Sequence, residues 1–297
     1  MALAANATVA FVGLGVMGFP MAGHLAAAGF TVRVYNRSSA KADAWLKQHA
    51  TTADTNTACA TPALAADGAD VVCICVGNDD DVRSVCFGAD GVFATLAANA
   101  LLIDHTTASE GLALELASAA AQRGAGFVDA PVSGGQAGAE AGALTAMCGG
   151  SEAAFAHAGP VLDCYSKRTR LLGPPGAGQL AKMVNQVCIA GVLQGLAEGV
   201  RFAEGAGLEV DAVLDVIAAG AAQSWQMENR GSTMAQRSFD FGFAVDWMRK
   251  DLGIALDAAR QRGLRLPLTA LVDQFYGDVQ ASGGGRLDTS SLIKRLD

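Results

Sequence analysis

A glycine-rich loop between an apolar strand and a helix is the feature that most restricts how this chain can fold. Gly13-Leu14-Gly15-Val16-Met17-Gly18 follows the β-branched run Thr8–Val12 and opens a helical pattern over Met17–Ala28. Glycines at this spacing permit a tight turn and let a pyrophosphate approach the N–H groups that begin the helix. A glycine triplet alone is a weak signal in a chain with 36 glycines. Its strand–turn–helix setting nevertheless predicts a dinucleotide-binding loop.

The first 174 residues alternate short β-branched runs with helical stretches, which indicates a parallel α/β sheet. The predicted strands are Thr8–Val12, Thr31–Tyr35, Val71–Val76, Leu101–Asp104, Gly126–Asp129 and Thr145–Cys148. The predicted helices between them are Met17–Ala28, Ser39–His49 and Glu110–Gln122. This order of elements predicts an α/β Rossmann-type dinucleotide-binding domain.

The cluster Gly173-Pro174-Pro175-Gly176 is the strongest break in the chain and predicts a domain boundary. Beyond it almost every segment has a helical pattern, with predicted helices at 178–204, 210–219, 223–236, 245–261 and 268–281. We therefore expect a Rossmann-like domain over residues 1–174 and an all-helical domain over residues 175–297. The long helix 178–204 is expected to join them.

Charge and cysteine content limit the possible partners. A formal net charge of −8 without a Lys/Arg-rich block argues against nucleic acid. The apolar N-terminus is interrupted by glycines and Pro20 and carries no basic residue before Arg33 other than His24, so neither a membrane span nor a signal peptide is expected. The seven cysteines are scattered and form no CxxC pair, which indicates buried thiols, no metal site and a cytoplasmic location.

The end of the second predicted strand bears on the choice of cofactor. An NAD-selective site usually has Asp or Glu there to accept from the ribose 2′-OH. Asn36, Arg37 and Ser38 offer donors and a positive charge instead, which suits a 2′-phosphate. We expect NADP(H) to be preferred, with NAD(H) possible. The alternative is that Arg37 is only a solvated turn residue.

Two polar loops follow neighbouring predicted strands, where α/β sheets bind their ligands. Ser133-Gly134-Gly135 offers a hydroxyl and two unobstructed N–H groups, which suit a carboxylate. A structural turn would explain the glycines as well, but it would not explain the matching polar loop Asp104-His105-Thr106-Thr107. His105 follows an apolar strand, and we expect it to be structural or at the surface.

Lys182, Asn185 and Gln186 share one face of the predicted long helix, because they are three and four residues apart. The run that follows is apolar, so the lysine would lie on a mostly buried helix. Such a position is costly for a lysine unless it is paired or has a chemical role. Together with the glycine-rich loop, this pattern indicates a lysine that donates a proton beside a bound cofactor.

Four motifs in this order resemble those of the β-hydroxyacid dehydrogenase family. That family includes 3-hydroxyisobutyrate dehydrogenases, tartronate semialdehyde reductases and succinic semialdehyde/glyoxylate reductases. The matching segments are Gly13–Gly29, Asp129–Gly150, Gly176–Gln186 and Phe243–Leu252. The resemblance covers nearly the whole chain, and four motifs at family spacing are highly specific. The chain departs from the pattern at Val76-Gly77-Asn78, where the family usually has Leu-Pro, and at Gln186, which replaces a frequent second Asn.

The resemblance implies a role for each matching residue. Lys182 falls on the catalytic lysine, Asn185 on an amide that orients lysine or substrate, and Ser133-Gly134-Gly135 on the carboxylate-binding turn. Further residues implied on the substrate side are Gln186, Phe243 and Asp251. Further residues implied on the cofactor side are Val76, Gly77, Thr107 and Lys250. The resemblance also implies a homodimer or homotetramer.

The expected activity is reversible hydride transfer between nicotinamide and a small β-hydroxyacid or semialdehyde, with Lys182 as general acid/base. The 3-hydroxyisobutyrate, tartronate semialdehyde and succinic semialdehyde classes stay open. One alternative is an imine reductase, which shares the architecture but generally lacks the lysine. Another is a non-enzymatic NADPH-binding regulatory module, in which the lysine is replaced. Trp225 is expected to pack between helices rather than to close the pocket.

Overall fold

The computed structural model describes residues 7–49 and 55–297 of the chain. It divides into two compact units, Met1–Lys182 and Met183–Asp297. This division falls inside a long helix, and the sequence-based boundary after residue 174 stays a prediction. The N-terminal unit is a Rossmann-like α/β domain and the C-terminal unit is helical, as the sequence predicts.

Strands and helices alternate over most of the N-terminal unit. Its strands are β1 (Thr8–Val12), β2 (Thr31–Tyr35), β3 (Thr57–Ala58), β4 (Val71–Ile74), β5 (Leu101–Asp104), β6 (Gly126–Asp129), β7 (Val132–Ser133), β8 (Leu144–Gly150) and β9 (Ser166–Gly173). Its helices are α1 (Gly18–Ala27), α2 (Ser39–Gln48), α3 (Pro62–Ala66), α4 (Asp79–Cys86), α5 (Val92–Thr95), α6 (Glu110–Gln122), α7 (Gly135–Glu140) and α8 (Glu152–Leu162). The fourth strand is shorter than predicted, since it ends at Ile74 rather than Val76.

The strands of the described residues form one sheet in the order β3-β2-β1-β4-β5-β6-β8-β7, with β9 paired to β8. The strands from β3 to β6 are parallel, as expected. The sheet is mixed at the other edge, where β8 is antiparallel to both β6 and β7 and parallel to β9. The connection from β6 to β8 holds only the short β7 and α7, and antiparallel neighbours need no long crossover.

Helices cover the sheet on both faces, and this explains the apolar central strands. Val9 and Phe11 of β1 pack into one core cluster, which includes Trp45 of α2. Ala10 and Val12 of the same strand pack into a second cluster with α3 to α6. Alternate side chains of one strand therefore enter opposite layers, as the two-residue period of a strand requires.

The long helix α9 (Ala177–Gly205) begins in the N-terminal unit and continues into the C-terminal unit. It is followed by α10 (Val210–Ala218), α11 (Trp225–Ala235), α12 (Val245–Gln261), α13 (Pro267–Ala281) and a 3-10 helix at Thr289–Leu296. The described residues contain one helix long and apolar enough to cross a membrane, and that helix is α9. Three of its polar residues, Gln179, Lys182 and Gln186, are buried.

Candidate functional site

The predicted dinucleotide loop is a tight turn that requires its glycines. Gly13 has a φ of +102°, and a side chain there would overlap the carbonyl oxygen of Cys75. A side chain at Gly18 would overlap the carbonyl oxygen of Gly13. At Gly15, by contrast, a Cβ atom would meet nothing within 4 Å. The protein's own packing therefore does not explain Gly15, and the open space beside it is where a pyrophosphate would approach the helix.

Of the residues after β2, Asn36 is hydrogen-bonded to the glycine loop and Arg37 is exposed. Asn36 Oδ1 accepts a hydrogen bond from Leu14 N at 2.9 Å, and its Nδ2 donates to Ser38 O at 3.1 Å. Asn36 thus holds the glycine loop against the end of β2. The side chain of Arg37 is 92% exposed and lies 3.8 Å from the carboxylate of Asp81. Ser38 is exposed at the start of α2, and its hydroxyl makes no capping bond to that helix.

The predicted cofactor and substrate loops of the N-terminal unit lie at one edge of the sheet. β1, β2, β4, β5 and β6 are parallel neighbours, so their carboxyl ends lie together. Gly13–Gly18, Asn36–Ser38, Val76–Gly77 and Thr107 follow the ends of β1, β2, β4 and β5, and Ser133–Gly135 lies at the end of the short β7, three residues after β6. The Thr106 hydroxyl accepts a hydrogen bond from Val76 N at 3.1 Å and links the loops after β4 and β5. This edge is where open α/β sheets bind ligands.

The start of α9 is fixed to the same edge by a buried carboxylate. Asp129, at the end of β6, accepts hydrogen bonds from Gly176 N at 2.8 Å and from Gln179 N at 2.9 Å. Burial raises the pKa of Asp129 to about 6, against the opposing effect of these N–H donors. A side chain at Gly149 or Gly178 would collide with this carboxylate, so both glycines permit the close packing. The negative charge also suits the positive end of the helix dipole.

Gln179 fixes α9 a second time. Its Oε1 accepts from Ala108 N at 3.0 Å, and its Nε2 donates to Thr106 O at 2.7 Å. Lys182 follows three residues later on the same face and is 7% exposed. Lys182 therefore lies near the start of α9, where Gln179 binds the helix to the loop after β5. Sequence analysis missed Gln179, although an amide three residues before Lys182 in an apolar helix was a signal.

The turn after β7 has a left-handed backbone and open space beside one of its glycines. Gly134 has a φ of +132° and precedes the first turn of α7, where Gly135 has a φ of +63°. A Cβ atom at Gly135 would meet nothing within 4 Å. Ser133 is half-buried beside them. A hydroxyl and N–H groups on open backbone are the donors that a carboxylate requires.

Asp104 and His105 are buried behind this edge and serve the fold. Asp104 Oδ1 accepts from Thr106 N at 2.9 Å, and burial raises the pKa of Asp104 to about 7. His105 Nδ1 donates to Ala130 O at 2.8 Å, while its Nε2 accepts from the Tyr165 hydroxyl at 2.9 Å. Burial lowers the pKa of His105 to about 4, so its ring is neutral. Of the two roles expected for His105, structural or at the surface, the structural one is confirmed, because the residue is buried.

Four of the predicted site residues in the C-terminal unit form one chain of polar contacts. Asn185 Nδ2 donates to Gln186 Oε1 at 2.7 Å, and Gln186 Nε2 donates to Asp251 Oδ2 at 2.6 Å. Lys250 Nζ lies 3.1 Å from Asp251 Oδ1. Phe243 lies outside this chain, and its N–H donates to Asp288 Oδ2 at 2.9 Å. The Gln186 amide thus bridges the start of the unit to α12.

The expectation that Trp225 packs between helices is wrong. Trp225 begins α11 and is 55% exposed. Its ring lies 5.0 Å from the guanidinium carbon of Arg230, five residues later. Sequence analysis did not single out Arg230. An arginine five residues after an exposed tryptophan gives no recognisable motif.

Comparison with known proteins gives matches along nearly the whole chain. The family described as the NAD binding domain of 6-phosphogluconate dehydrogenase matches residues 8–173. The family described as the NAD-binding domain of NADP-dependent 3-hydroxyisobutyrate dehydrogenase matches residues 176–296. An oxidoreductase of Shewanella frigidimarina is 60% identical and covers 98% of both chains. A probable 3-hydroxyisobutyrate dehydrogenase-like protein of Arabidopsis thaliana is 39% identical over 98% of this chain and 86% of its own.

Several solved structures are also similar to this chain over nearly its whole length. The 3-hydroxyisobutyrate dehydrogenase of Mycobacterium tuberculosis, solved with L-serine, is 32% identical with a TM-score of 0.87, covering 98% of this chain and 99% of its own. Psf3, solved with NADP+ and 2-OPP, is 26% identical with a TM-score of 0.86, covering 97% of this chain and all of its own. An imine reductase from a Pseudomonas species shares the fold at 20% identity and a TM-score of 0.63, covering 98% of this chain and all of its own.

Proposed function

This chain belongs to the β-hydroxyacid dehydrogenase family of NAD(P)-dependent oxidoreductases, and from that premise we propose that it interconverts a small β-hydroxyacid and its semialdehyde with NADP(H) as the preferred cofactor. The substrate classes are those of 3-hydroxyisobutyrate, tartronate semialdehyde and succinic semialdehyde. The observation that carries the proposal is the buried Lys182, on a helix bound through Gln179 to the loop after β5. A cytoplasmic location is part of the same proposal.

Lys182 is the general acid/base of the proposed reaction. In reduction, its ammonium gives a proton to the carbonyl oxygen of the semialdehyde while a hydride reaches the carbonyl carbon, which yields the hydroxyacid. In oxidation the neutral amine takes the hydroxyl proton back. The bound nicotinamide supplies or accepts the hydride. The anchored start of α9 keeps the lysine in position without reorganisation during the step.

The substrate carboxylate is proposed to bind at Ser133-Gly134-Gly135. Support comes from the positive φ angles of both glycines and the open space beside Gly135. Backbone donors of this kind are fixed before the ligand arrives. A site built to hydrogen-bond a carboxylate discriminates strongly against a neutral analogue, because its donors are then left unpaired.

The NADP(H) preference is proposed on the exposed pair Arg37 and Ser38. Asn36 is hydrogen-bonded to Leu14 and Ser38, so it fixes the loop. Arg37 then supplies the positive charge that would bind the 2′-phosphate. No carboxylate side chain lies at residues 36–38, where a ribose 2′-OH would be bound in an NAD-selective site. A guanidinium can pair with both oxygens of a phosphate edge.

The test is a comparison of acids with matched neutral compounds. Succinic semialdehyde should be reduced with a higher kcat/KM than its methyl ester or butyraldehyde, by about 10²-fold or more. Each assay is run with NADPH and with NADH. Equal rates on the neutral compounds would contradict the carboxylate site, and reduction of a cyclic imine without any oxyacid activity would contradict the proposed reaction.

A further inference from the structure

The helix α9 begins after a residue that cannot cap it. The first N–H groups of a helix have no partner within the helix, and a side chain at the preceding residue usually accepts from one of them. The residue before α9 is Gly176, a glycine with a φ of +92°. A Cβ atom there would lie only 2.9 Å from Glu110 Cγ. The acceptor for the first turn of α9 therefore has to come from another part of the fold.

Asp129 supplies that acceptor from the end of β6, 47 residues before Gly176. Its Oδ1 accepts from Gly176 N at 2.8 Å, and its Oδ2 accepts from Gln179 N at 2.9 Å. The carboxylate is fully buried. A Cβ atom at Gly149 of β8 would lie 2.5 Å from Oδ1 and 2.8 Å from Gly178 N, so the carboxylate is enclosed between β8 and the helix. Both oxygens thus do what a capping side chain does at an ordinary helix start.

This contact sets where Lys182 lies. Lys182 is three residues beyond Gln179 on the same helix, a rise of about 4.5 Å along the helix axis, and it is buried. A shift of the first turn of α9 would therefore move the ammonium group as well. A displacement of about 1 Å in a reacting group can lower a rate by about 10²-fold. All of these residues belong to the N-terminal unit, Met1–Lys182.

The hydrogen bonds to α9 require the ionised form of Asp129. A carboxylate accepts through both oxygens, whereas a protonated carboxyl group has one oxygen that carries a donor. Proton uptake would weaken one of the two bonds and remove the negative charge at the positive end of the helix. Burial raises the pKa of Asp129 to about 6, against the opposing effect of the N–H donors. The carboxylate is therefore ionised at neutral pH and takes up a proton as the pH falls through about 6.

Other titratable groups lie on the elements around this carboxylate. β5 and β8 flank β6, α6 and α8 pack against it, and their groups together with that of α9 include Asp104, Cys148, Glu110, Glu152, His157 and Lys182. Burial raises the pKa of Asp104 to about 7, so this neighbour is largely protonated when the pH reaches 6. Burial also raises the pKa of Cys148 to about 12, so its thiol stays neutral. A protonated Lys182 favours the ionised form of Asp129.

We propose that ionised Asp129 caps α9 and is the positioning residue of Lys182, so that turnover is lost when this carboxylate takes up a proton. The inference rests on the proposed function, in which Lys182 is the acid/base group. In reduction Lys182 gives a proton, so the loss of its own proton lowers the rate only at high pH. A loss of rate at low pH is therefore the effect expected of Asp129 and not of Lys182.

The kinetic test measures kcat for the reduction of succinic semialdehyde with saturating NADPH between pH 5 and pH 8. In the wild type, kcat should fall by about 10-fold between pH 7 and pH 5, because about nine tenths of Asp129 is protonated one unit below its pKa. Asp129→Asn places a donor where one of the acceptors was. It should lower kcat at pH 8 by about 10- to 100-fold and abolish the loss at low pH. The KM for NADPH should stay nearly unchanged, because the glycine loop takes no part in this contact.

Asp104→Asn is the matched control. Asp104 is the register partner of Asp129 on β5 and is also buried, but it accepts from Thr106 N and not from α9. This variant should keep the loss of kcat at low pH. Asp129→Asn with the same loss at low pH as the wild type would make Asp129 a purely structural residue and would overturn the proposal. A normal kcat in Asp129→Asn would overturn it too.

An amide titration by NMR separates this inference from the proposed function, because it needs no turnover. The amide protons of Gly176 and Gln179 donate to Asp129, so their chemical shifts should change with a midpoint near pH 6 in the wild type. The midpoint should persist in Asp104→Asn. If the shifts titrate while no β-hydroxyacid or semialdehyde is turned over, the proposed function fails and the capping of α9 by ionised Asp129 stands. Shifts that stay constant between pH 5 and pH 7 overturn the inference whatever the turnover, and this measurement decides even if Asp129→Asn does not fold.

Discussion

At the scale of single residues, Lys182 is the side chain whose removal should matter most to turnover. Lys182→Ala should lower kcat by about 10²- to 10⁴-fold, the range for one general acid, while the affinity for the cofactor changes little. Lys182→Arg should fail as well, because a guanidinium keeps its proton near neutral pH. Steady-state kinetics and a cofactor titration measure the two effects. The control is Lys167→Ala, which removes an exposed lysine of β9.

A Lys182→Ala enzyme with near-normal kcat would remove the lysine from the mechanism. A variant with weakened cofactor binding and unchanged kcat would instead make it a binding residue. The two results are separable, because kcat at saturation reports the bound state only.

Arg37 should decide the preference between the two nicotinamide cofactors. Arg37→Ala should raise the KM for NADPH by about 10- to 100-fold and leave that for NADH nearly unchanged, because only NADPH carries the 2′-phosphate. Asp81 lies 3.8 Å from Arg37 and competes for the guanidinium. Asp81→Asn should therefore lower the KM for NADPH. Arg123→Ala, at an exposed position after α6, is the control. Equal use of both cofactors by the wild type would contradict the role of Arg37.

Asp104 and His105 should give opposite pH dependence to stability. Asp104 has a pKa of about 7 in the folded chain, whereas its ordinary pKa is 3.8. Its contribution to the free energy of unfolding is therefore full below pH 3.8 and is lost as the pH rises through about 7. His105 has a pKa of about 4 in the folded chain, whereas its ordinary pKa is 6.5. Its contribution to the free energy of unfolding is therefore full above pH 6.5 and is lost as the pH falls through about 4. Between about pH 4 and pH 6.5, the fall in stability from Asp104 and the rise from His105 largely cancel.

Single substitutions should separate these two titrations. Relative to the wild type, Asp104→Asn should gain unfolding free energy as pH rises from about 4 to 7, with a slope of up to about 1.4 kcal/mol per pH unit. Relative to the wild type, His105→Gln should lose unfolding free energy over the same range. Denaturant unfolding at several pH values measures both slopes. Curves parallel to the wild type would contradict the assigned pKa shifts.

At the scale of elements, the start of α9 depends on contacts that only the fold creates. Gln179→Leu keeps the size and helix preference of the side chain but removes its hydrogen bonds to Ala108 N and Thr106 O. We expect kcat to fall by about 10-fold, since a small displacement of a positioned group is costly. The KM for the cofactor should not change. Gln122→Leu, at the exposed end of α6, is the control. Unchanged kcat in Gln179→Leu would show that Lys182 is positioned without this anchor.

The central strands were predictable because their burial is visible in the sequence. β1, β2, β5 and β6 begin and end where the apolar runs do. β9 was missed, because its Lys167-Arg168-Thr169-Arg170 run is largely exposed beside β8. α4 was missed although the signals were present, since Asn78 caps the helix and three aspartates fill its first turn.

The candidate site was predictable only in its local motifs. The glycine loop and the shared face of Lys182 and Asn185 are properties of consecutive residues, so spacing alone indicates them. The Asp129 carboxylate at the start of α9 joins residues far apart in the chain, and so does the Gln186–Asp251 pair. The same holds for Arg230 and Phe243, which meet through Asp288. Contacts of this kind follow from tertiary packing and leave no pattern along the sequence.

At the scale of the whole molecule, the exposed face of α9 suggests how two copies would associate. Val184, Cys188, Gly195, Gly199 and Phe202 are exposed and recur at the spacing of one helix face. Less than half of an apolar 18-residue stretch of α9 is buried within the chain. An apolar face of this length is typical of an interaction surface. Because a two-fold dimer uses the same surface on both copies, α9 can pair with α9 of a second copy.

We therefore expect a homodimer or a larger even-numbered assembly that is built on this face. Gly195 and Gly199 leave open space in the chain, since a Cβ atom at either would meet nothing within 4 Å. Gly195→Glu with Gly199→Glu should thus preserve the fold, and even favour the helix, while two carboxylates prevent close approach of a second α9. Light scattering after size-exclusion chromatography should show a shift toward the monomer. Gly111→Glu, at an exposed helical glycine of α6, should leave the mass unchanged. A double variant with the wild-type mass would mean that the copies associate through another surface.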